Sequence, residues 1–436
     1  MATFFDTLIA TIALGSLYAL VALGYTLVYG VLKFINFAHS DIFVLGAWTS
    51  FTSAVAVTTM LDTQGVPPWW VGALVLMLAV LVCATTGYLI ERLAYRPLRK
   101  APRLNVLITA IGVSLLLQNV GQLPGYPVVR ENVPPAAATA DASAPAAQGQ
   151  TLATVPFGPT PRSMPQLLPN AVLNESAVAS GTITAGSSRG QVRLDQPIEI
   201  LPDRQYALVV TRTVDGEPRT TTFRLVGIEG GRIEAGTDIG TQPRRDPRDF
   251  ENATYRLVLS PVVALRLIDV LIVVSSIALM IVLQYVVFHT RLGSAMRALS
   301  FNTETAALMG INVNRVISIT FVMGTALAAA AAFLYTQKYT SLSQPASAVW
   351  VLLGLKAFVA AVVGGIGNVR GAVLGGFLIA GLELFGSTYS EVLITAAGGS
   401  SGIGTALRDI YVFGLLILVL LVRPAGILGT VTREKV

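Results

Sequence analysis

The residues in this sequence able to do chemistry are few, and most sit inside apolar runs. Lys356 and Glu383 each interrupt such a run, and Asp41 interrupts another, close to Asn36 and His39. A bare charge at the centre of a membrane costs roughly 3 kcal/mol or more, so it must be paired or wet. Lys356 therefore either takes Glu383 or Asp41 as a structural counter-ion, or these groups line a cavity and meet the carboxylate and ammonium of a substrate. His39 is expected to bond a neighbouring helix. Gln118 and Asn119 close a further apolar run, where they either face an outer gate or cap their helix. Only two histidines, His39 and His289, and one cysteine, Cys83, occur in the chain, too few for a histidine metal site, a disulfide framework or a thiolate site. Cys83, within an apolar run, reads as a small buried hydrophobe. No Ser-His-Asp set and no paired catalytic carboxylates stand at a credible spacing. The sequence gives no reason to expect an enzyme or a cofactor.

A second group of residues has a mechanical use. In the segment Ser300 to Arg315, Asn302 is a good N-cap, Glu304 falls in the first turn where a negative charge favours the helix dipole, and Gly310 is placed to end the helix. The spacing predicts a two-turn helix between two spans. Ala306 and Ala307 give it a small face that another backbone can approach, and Leu308 and Met309 supply an apolar plug. Such a helix is either an ordinary interfacial loop helix or a handle for something that moves the spans.

The glycines suit packing better than phosphate binding. Gly365-Ile366-Gly367 begins like a nucleotide loop, but Arg370 occupies the position of the third glycine and no Lys-Ser/Thr cradle follows. Gly367, Gly371 and Gly375 recur every fourth residue, the spacing at which helix backbones approach closely in lipid. A packing or hinge role is expected.

The elements that position these residues follow from composition. The chain has 436 residues, of which 53% are hydrophobic and 12% charged, about half the usual charged share of a soluble domain. A spanning helix needs roughly 20 apolar residues. About nine such spans are expected: Leu8 to Tyr29, Phe34 to Val57, Trp70 to Ile90, Leu104 to Val120, Val262 to Phe288, Val316 to Leu334, Val351 to Ile366, Ala372 to Leu384 and Asp409 to Val422. The stretch Val351 to Leu384 reads as two spans or one broken helix pair. The first span is too long for a signal-peptide core and lacks a basic leader. Asn36, His39 and Asp41 follow an expected break at Gly30, near the cytoplasmic start of the second span.

Basic residues orient the spans. Arg92, Arg96, Arg99, Lys100 and Arg103 follow the third span, and Arg291, Arg297 and Arg315 flank the loop after the fifth, so both loops read as cytoplasmic. The same parity puts Lys33, Arg370, Arg423, Arg433 and Lys435 inside and the N-terminus outside. This bias accounts for the net charge of +6 without nucleic acid.

The chain thus divides into an N-terminal membrane half, 1–123, a Pro/Ala-rich extracytoplasmic linker, 124–190, a β-rich extracytoplasmic insertion, 191–261, and a C-terminal membrane half, 262–436, with a cytoplasmic loop at 289–315. Pro134, Pro135 and Pro145 mark the linker. Tyr206 to Thr213, Thr220 to Ile228 and Arg232 to Ala235 alternate like short strands, bounded by Asp215-Gly216 and Gly230-Gly231. The fold class is an all-α polytopic membrane protein carrying a small β-rich module, which either docks a soluble partner or is a neutral insertion.

Several segments, in order, carry a resemblance. Leu14-Gly15-Ser16-Leu17-Tyr18-Ala19-Leu20, Gly24 to Gly30 and Ile35-Asn36-Phe37-Ala38-His39 look like the opening of the LivH-type branched-chain amino acid permeases. Arg291-Leu292-Gly293 with Arg297-Ala298, Gly354 to Phe358, Gly364 to Asn368 and Arg423 to Gly429 resemble that family's later landmarks. Glu304, Ala306, Ala307 and Gly310 resemble the Glu-Ala-Ala and Gly signature of ABC importer permeases, with Thr305 intervening. The resemblance implies a bacterial cytoplasmic-membrane subunit that pairs with a related permease and two ATPases, the latter docking on the helix around Glu304. A soluble binding protein would deliver the substrate. Urea or short amides are alternative cargoes, and an ion-coupled secondary transporter is the alternative mechanism. The β-rich insertion departs from the family pattern.

Overall fold

Long apolar runs without internal breakers leave the backbone one way to satisfy its polar groups in lipid, which is to coil. A computed structural model describes residues 2–61, 67–99, 101–123, 126–130, 151–155, 157, 162–169, 171–174, 176–186, 191–200, 206–214, 217–226, 231–242, 253–259, 263, 265–342, 348–398, 400 and 402–429. Among them the helices are α1 (Ala2–Leu32), α2 (Ala38–Met60), α3 (Trp69–Ile90), α4 (Arg103–Gln122), α5 (Leu267–His289), α6 (Arg291–Phe301), α7 (Thr303–Leu308), α8 (Val313–Lys338), α9 (Ala348–Gly364), α10 (Val369–Ala396), α11 (Ile403–Ala406) and α12 (Arg408–Val422). A π-helical turn, Glu91–Tyr95, extends α3.

Eight helical stretches among the described residues are long and apolar enough to cross a membrane, and Trp350–Gly364 is a shorter apolar helix. The sequence expectation of about nine spans thus resolves into eight long helices and one short one. The stretch Val351 to Leu384 is a helix pair: α9 ends where Gly365 and Gly367 take φ of 111° and 90°, and α10 then runs well past Leu384. The expected break at Gly30 does not occur, because α1 continues to Leu32 and the chain turns at Lys33, whose φ is 57°.

The chain divides into two compact units, Met1–Asp6 with Asn170–Leu267, and Thr7–Pro169 with Ile268–Val436. In the helical unit α1, α2 and α8 are mostly buried, whereas α4, α5 and α12 expose apolar flanks such as Leu115, Leu116, Ile281, Val282 and Leu421. Lipid covers such flanks without charge. Small residues set the interior spacing: a Cβ on Gly24 would stand 2.9 Å from the Gly324 carbonyl oxygen, and one on Gly46 would stand 3.0 Å from the Ala329 backbone.

The helical unit also holds the short strands β1 (Tyr126–Arg130), β2 (Thr151–Val155) and β3 (Arg162–Ser163), and the other unit is built around a closed barrel. Strands β4 (Ser176–Ala185), β5 (Gln191–Leu194), β7 (Tyr206–Val214), β8 (Glu217–Val226), β10 (Asp238–Gln242) and β11 (Ala253–Leu259) close in the order β10-β5-β4-β11-β7-β8. Ile183, Val192, Leu208, Phe223, Tyr255 and Leu257 fill its interior. Two of the expected strands lie within β7 and β8, with residues 227 and 228 outside the described chain, and the third is the short β9 (Gly231–Ile233), paired with β6 (Ile198–Ile200). The β structure begins earlier than the expected boundary at 191. Strand β4 lies in the stretch read as linker, because its Ser, Ala, Gly and Thr residues have little pattern of their own and are held by pairing with β11 and β5. Pro134, Pro135, Pro145, Asp215, Gly216, Gly230, Lys100, Arg433 and Lys435 lie outside the described residues.

Candidate functional site

Three polar groupings and one surface helix gather the residues singled out by sequence. The surface helix is α7. Asn302 Oδ1 accepts from the backbone N–H of Glu304 and Thr305, closing the N-terminal end. At the other end the Gly310 N–H bonds to Ala307 O and the Ile311 N–H to Ala306 O, with Gly310 at φ 83°, a Schellman cap. The turn is therefore rigid. Leu308 is 87% exposed and Met309 79% exposed, as free apolar side chains. Ala307 is exposed, but Ala306 is buried in the chain's own core, which corrects the expected two-alanine outer face. Glu304 is exposed and lines a cavity of about 770 Å³ with Lys33, Arg96, Arg99 and Thr303.

Behind α7 stands a network that sequence reasoning missed. Glu91, fully buried in the π-helical turn, pairs with Arg99, and its Oε2 accepts from the Ser318 hydroxyl at 2.5 Å. Arg99 also donates to Asn314 Oδ1 at 2.6 Å. Burial draws the Arg99 guanidinium below its ordinary pKa range, and the adjacent Glu91 carboxylate opposes that shift. The network ties the loop after α3 to the first turns of α8, the helix that follows α7. Arg99 counted in the sequence only as a topology charge. The signal for Glu91 is an acid immediately after the end of an apolar run.

The second grouping surrounds the start of α2. Asn36 Oδ1 accepts from the Tyr95 hydroxyl at 2.6 Å. His39 is fully buried, its ring edge-on to Tyr25 with centroids 4.5 Å apart and its Nε2 over Gly24. Its ring nitrogens make no hydrogen bond of ordinary geometry among the described residues, and the ring packs against α1, the neighbouring helix. Asp41 is not a counter-ion of Lys356: its Oδ1 accepts from Gln118 Nε2 at 2.8 Å. Gln118 thus points inward from α4, while Asn119, exposed, donates to its own helix at Leu115 O.

The third grouping is centred on Lys356. Its ammonium lies 2.8 Å from Glu383 and 2.8 Å from Asp409, and the Tyr18 hydroxyl donates to the other Glu383 oxygen at 2.8 Å. Helices α1, α9, α10 and α12 are joined at this point. Asp409 was read from sequence only as the polar start of the last span. A further ion pair, Lys338 to Asp269 at 2.6 Å, joins the ends of α8 and α5.

The three glycines divide by role. Gly371 and Gly375 face α9 so closely that a Cβ would stand 2.4 Å from the Gly364 carbonyl oxygen or 2.0 Å from that of Ala360. Gly367 instead belongs to the turn, at φ 90°, where a Cβ would meet only the Tyr29 ring, at 3.8 Å. Asn368 then caps α10, accepting from the Arg370 and Gly371 N–H groups. Among the described residues no three His, Cys, Asp or Glu side chains group as a metal site would require.

The amino-acid sequence matches known proteins along nearly its whole length. The family model described as branched-chain amino acid transport system / permease component matches residues 7–160 and 222–420. The chain is 30% identical over 434 residues to the high-affinity branched-chain amino acid transport system permease protein BraD of Pseudomonas aeruginosa, covering 99% of this chain and 98% of that one. It is 30% identical over 426 residues to the corresponding permease protein LivH of Escherichia coli, covering 98% and 95%. The ribose import permease protein RbsC of Escherichia coli is 32% identical over 120 residues, which cover 26% of this chain and 37% of that one. No solved structure matches.

Proposed function

We propose the function from a premise the comparisons establish: the chain belongs to the permease family of branched-chain amino acid transport systems, and it is a multi-pass membrane protein. It forms part of the transmembrane path of an ABC importer for branched-chain or related amino acids. It performs no chemistry on its cargo. A related permease subunit completes the path, two ATPase subunits supply the energy, and a soluble binding protein delivers substrate from outside.

The observation that carries the coupling role is α7. A helix capped at both ends transmits force without fraying, and its exposed Leu308 and Met309 are apolar side chains that water does not stabilise. Closure of the ATPases around this helix would move α8 through Gly310 to Asn312, and the Glu91–Arg99–Asn314 network would carry that motion to α3. The spans then alternate between inward-open and outward-open states, a rearrangement of packed elements with two discrete arrangements. Glu304, Ala307 and Gly310 are the docking residues in this reading, and Ala306 anchors the helix from beneath.

The test is ATP-driven uptake of radiolabelled L-leucine by proteoliposomes holding the complete importer. Uptake that needs ATP and the binding protein supports the assignment. Uptake that runs without ATP and collapses with an ion gradient makes the protein a secondary carrier.

A further inference from the structure

Helices α3 and α8 touch at Gly87, where a Cβ would stand 2.5 Å from Thr325 Cγ2. From that contact towards Arg96 and the start of α8, a cavity of about 530 Å³ lies along both helices, lined by Tyr88, Arg96, Asn314, Arg315, Ile319 and Val322 among others. The lining is graded along its length. Arg96 ends the π-helical turn and Arg315 belongs to the first turn of α8, whereas Ile319 and Val322 follow on the same face of α8, about one and two turns further on. Tyr88 bounds the apolar end from α3. Arg92 is folded onto it, donating to the Tyr88 hydroxyl at 2.6 Å with its guanidinium carbon 5.9 Å from the ring centroid. Leu89 and Leu93, beside these residues, are exposed apolar side chains of the kind that lipid covers.

The polar end holds cations without an anion. Arg96 and Arg315 are exposed and form no ion pair among the described residues. No acid lines the cavity among those residues. Glu91 is fully buried and already taken by Arg99 and Ser318, and Glu304 lines the adjoining cavity with Arg96 without pairing with it. Arg96 also stands close enough to Arg99 to repel its charge. The start of α8 adds the positive end of a helix dipole. Guanidinium forks grip phosphate oxygens in pairs, and an apolar wall next to them suits an acyl chain. Basic pockets between spanning helices hold lipid headgroups by this combination. A free phosphate ester or an acidic protein surface would answer the arginines and leave Ile319 and Val322 uncovered.

We propose that this groove is a binding site for an anionic phospholipid of the leaflet on the α7 side: Arg96 and Arg315 hold the phosphodiester, and Tyr88, Ile319 and Val322 receive the start of an acyl chain. The inference needs only that the chain spans a membrane, and it stands independently of the importer reading. Asn314 and Ser318, which bond to Arg99 and Glu91, line the same groove. An occupied site therefore rests directly on the network that joins α3 to α8.

The experiment is native mass spectrometry of the full-length chain, stripped of lipid in detergent and titrated with phosphatidylglycerol, phosphatidylcholine or sn-glycerol 3-phosphate. Expected is a first phosphatidylglycerol bound about tenfold more tightly than phosphatidylcholine, and not displaced by equimolar glycerol 3-phosphate. The double variant Arg96→Gln/Arg315→Gln should lose that preference, whereas Arg370→Gln, which removes an exposed charge from the α9–α10 turn, should keep it. Ile319→Trp fills the apolar end with both arginines in place and should weaken phosphatidylglycerol comparably. It decides the matter should the double variant fail to insert. Equal binding of the two lipids by the parent overturns the site, as does parental phosphatidylglycerol binding by the double variant or by Ile319→Trp, or a loss as large in Arg370→Gln. Displacement by equimolar glycerol 3-phosphate also overturns the lipid and makes the groove a site for a soluble phosphate ester.

Discussion

Lys356 Nζ and Glu383 Oε1 stand 2.8 Å apart with both side chains buried, and they join two helices that the chain itself links through a tight glycine turn. The pair is completed by Tyr18 on Glu383 and by Asp409 on Lys356. Removing one member of a buried pair leaves the other without compensation, at about 3 to 5 kcal/mol. Lys356→Met is therefore expected to lower the melting temperature of the detergent-solubilised chain sharply, because it strands Glu383 beside Asp409. The double variant Lys356→Met/Glu383→Met should recover most of that loss. Asp409→Asn should cost less, since its side chain is 42% exposed. Fluorescence-detected size-exclusion melts read all three, and a Lys356→Met chain as stable as the parent would sink the account.

Glu91 should behave as a second such centre, nearer the coupling helix. Glu91→Gln keeps an acceptor for Ser318 but leaves the Arg99 guanidinium, already disfavoured by burial, without its counter-charge. Discounted for the 17% exposure of the Arg99 side chain, a loss of about 1 to 3 kcal/mol is expected. Uptake should fall further than stability does, since the network links α3 to α8. Paired melting and uptake measurements separate the two effects, and a variant with normal stability and normal uptake would show that the network transmits nothing.

The sequence made the spans and the coupling helix legible because both are local. Lipid demands about 20 apolar residues in a row, and the end caps of α7 are fixed by Asn302 and Gly310 within nine residues of chain. Polar partners were harder to read because they are chosen by packing. Nothing near Asp41 in sequence points to Gln118, and nothing near Lys356 points to Asp409. Asp41 reads as a counter-ion from sequence only because every intramembrane charge needs one. Ala306 was misassigned to the outer face since a six-residue helix offers too short a period to say which side is covered. Strand β4 was hidden because small polar residues carry no alternation until neighbouring strands impose it.

For the coupling helix the exposed residues separate docking from folding. Leu308→Glu and Met309→Glu alter side chains that touch little of their own chain, so the stability of the subunit should change by less than about 0.5 kcal/mol. Recovery of ATPase subunits in a pull-down, and with it uptake, should be lost. Gly310→Val acts differently, by forcing a β-branched residue into the left-handed region at φ 83°, worth about 1 to 2 kcal/mol or more. It should abolish uptake while the subunit remains inserted. Full uptake by both classes of variant would remove the coupling role.

The barrel carries its own pH dependence. Asp195 accepts from the Thr182 N–H and hydroxyl, both at 2.9 Å, and the backbone bond holds its carboxyl pKa below the ordinary value. A depressed folded-state pKa contributes stability that is present above the unfolded value, about 3.9, and is lost as pH falls through the folded value. Protease cleavage of the barrel in the full chain should therefore accelerate as pH is lowered through and below about pH 4. Asp195→Asn should flatten that acid limb, and an unchanged acid limb would assign the pH dependence to other groups.

The α9–α10 pair gives a graded test of the glycine spacing. Gly375→Ala and Gly371→Ala each place a methyl group against a backbone carbonyl of α9, and backbone cannot step aside as a flexible side chain can. Each should force the two helices apart and lower stability by about 1 to 3 kcal/mol through overpacking. Gly367→Ala meets only ordinary contact, and its penalty comes from φ 90° alone, about 1 to 2 kcal/mol. Separating the helices also pulls Lys356 on α9 away from Glu383 on α10. Gly375→Ala and Lys356→Met should consequently be less than additive when combined, because the first has already weakened the pair that the second removes. Thermal melts of the two single variants and the double variant measure this directly. Strict additivity would mean that the glycine contacts and the buried ion pair stabilise the helix pair independently.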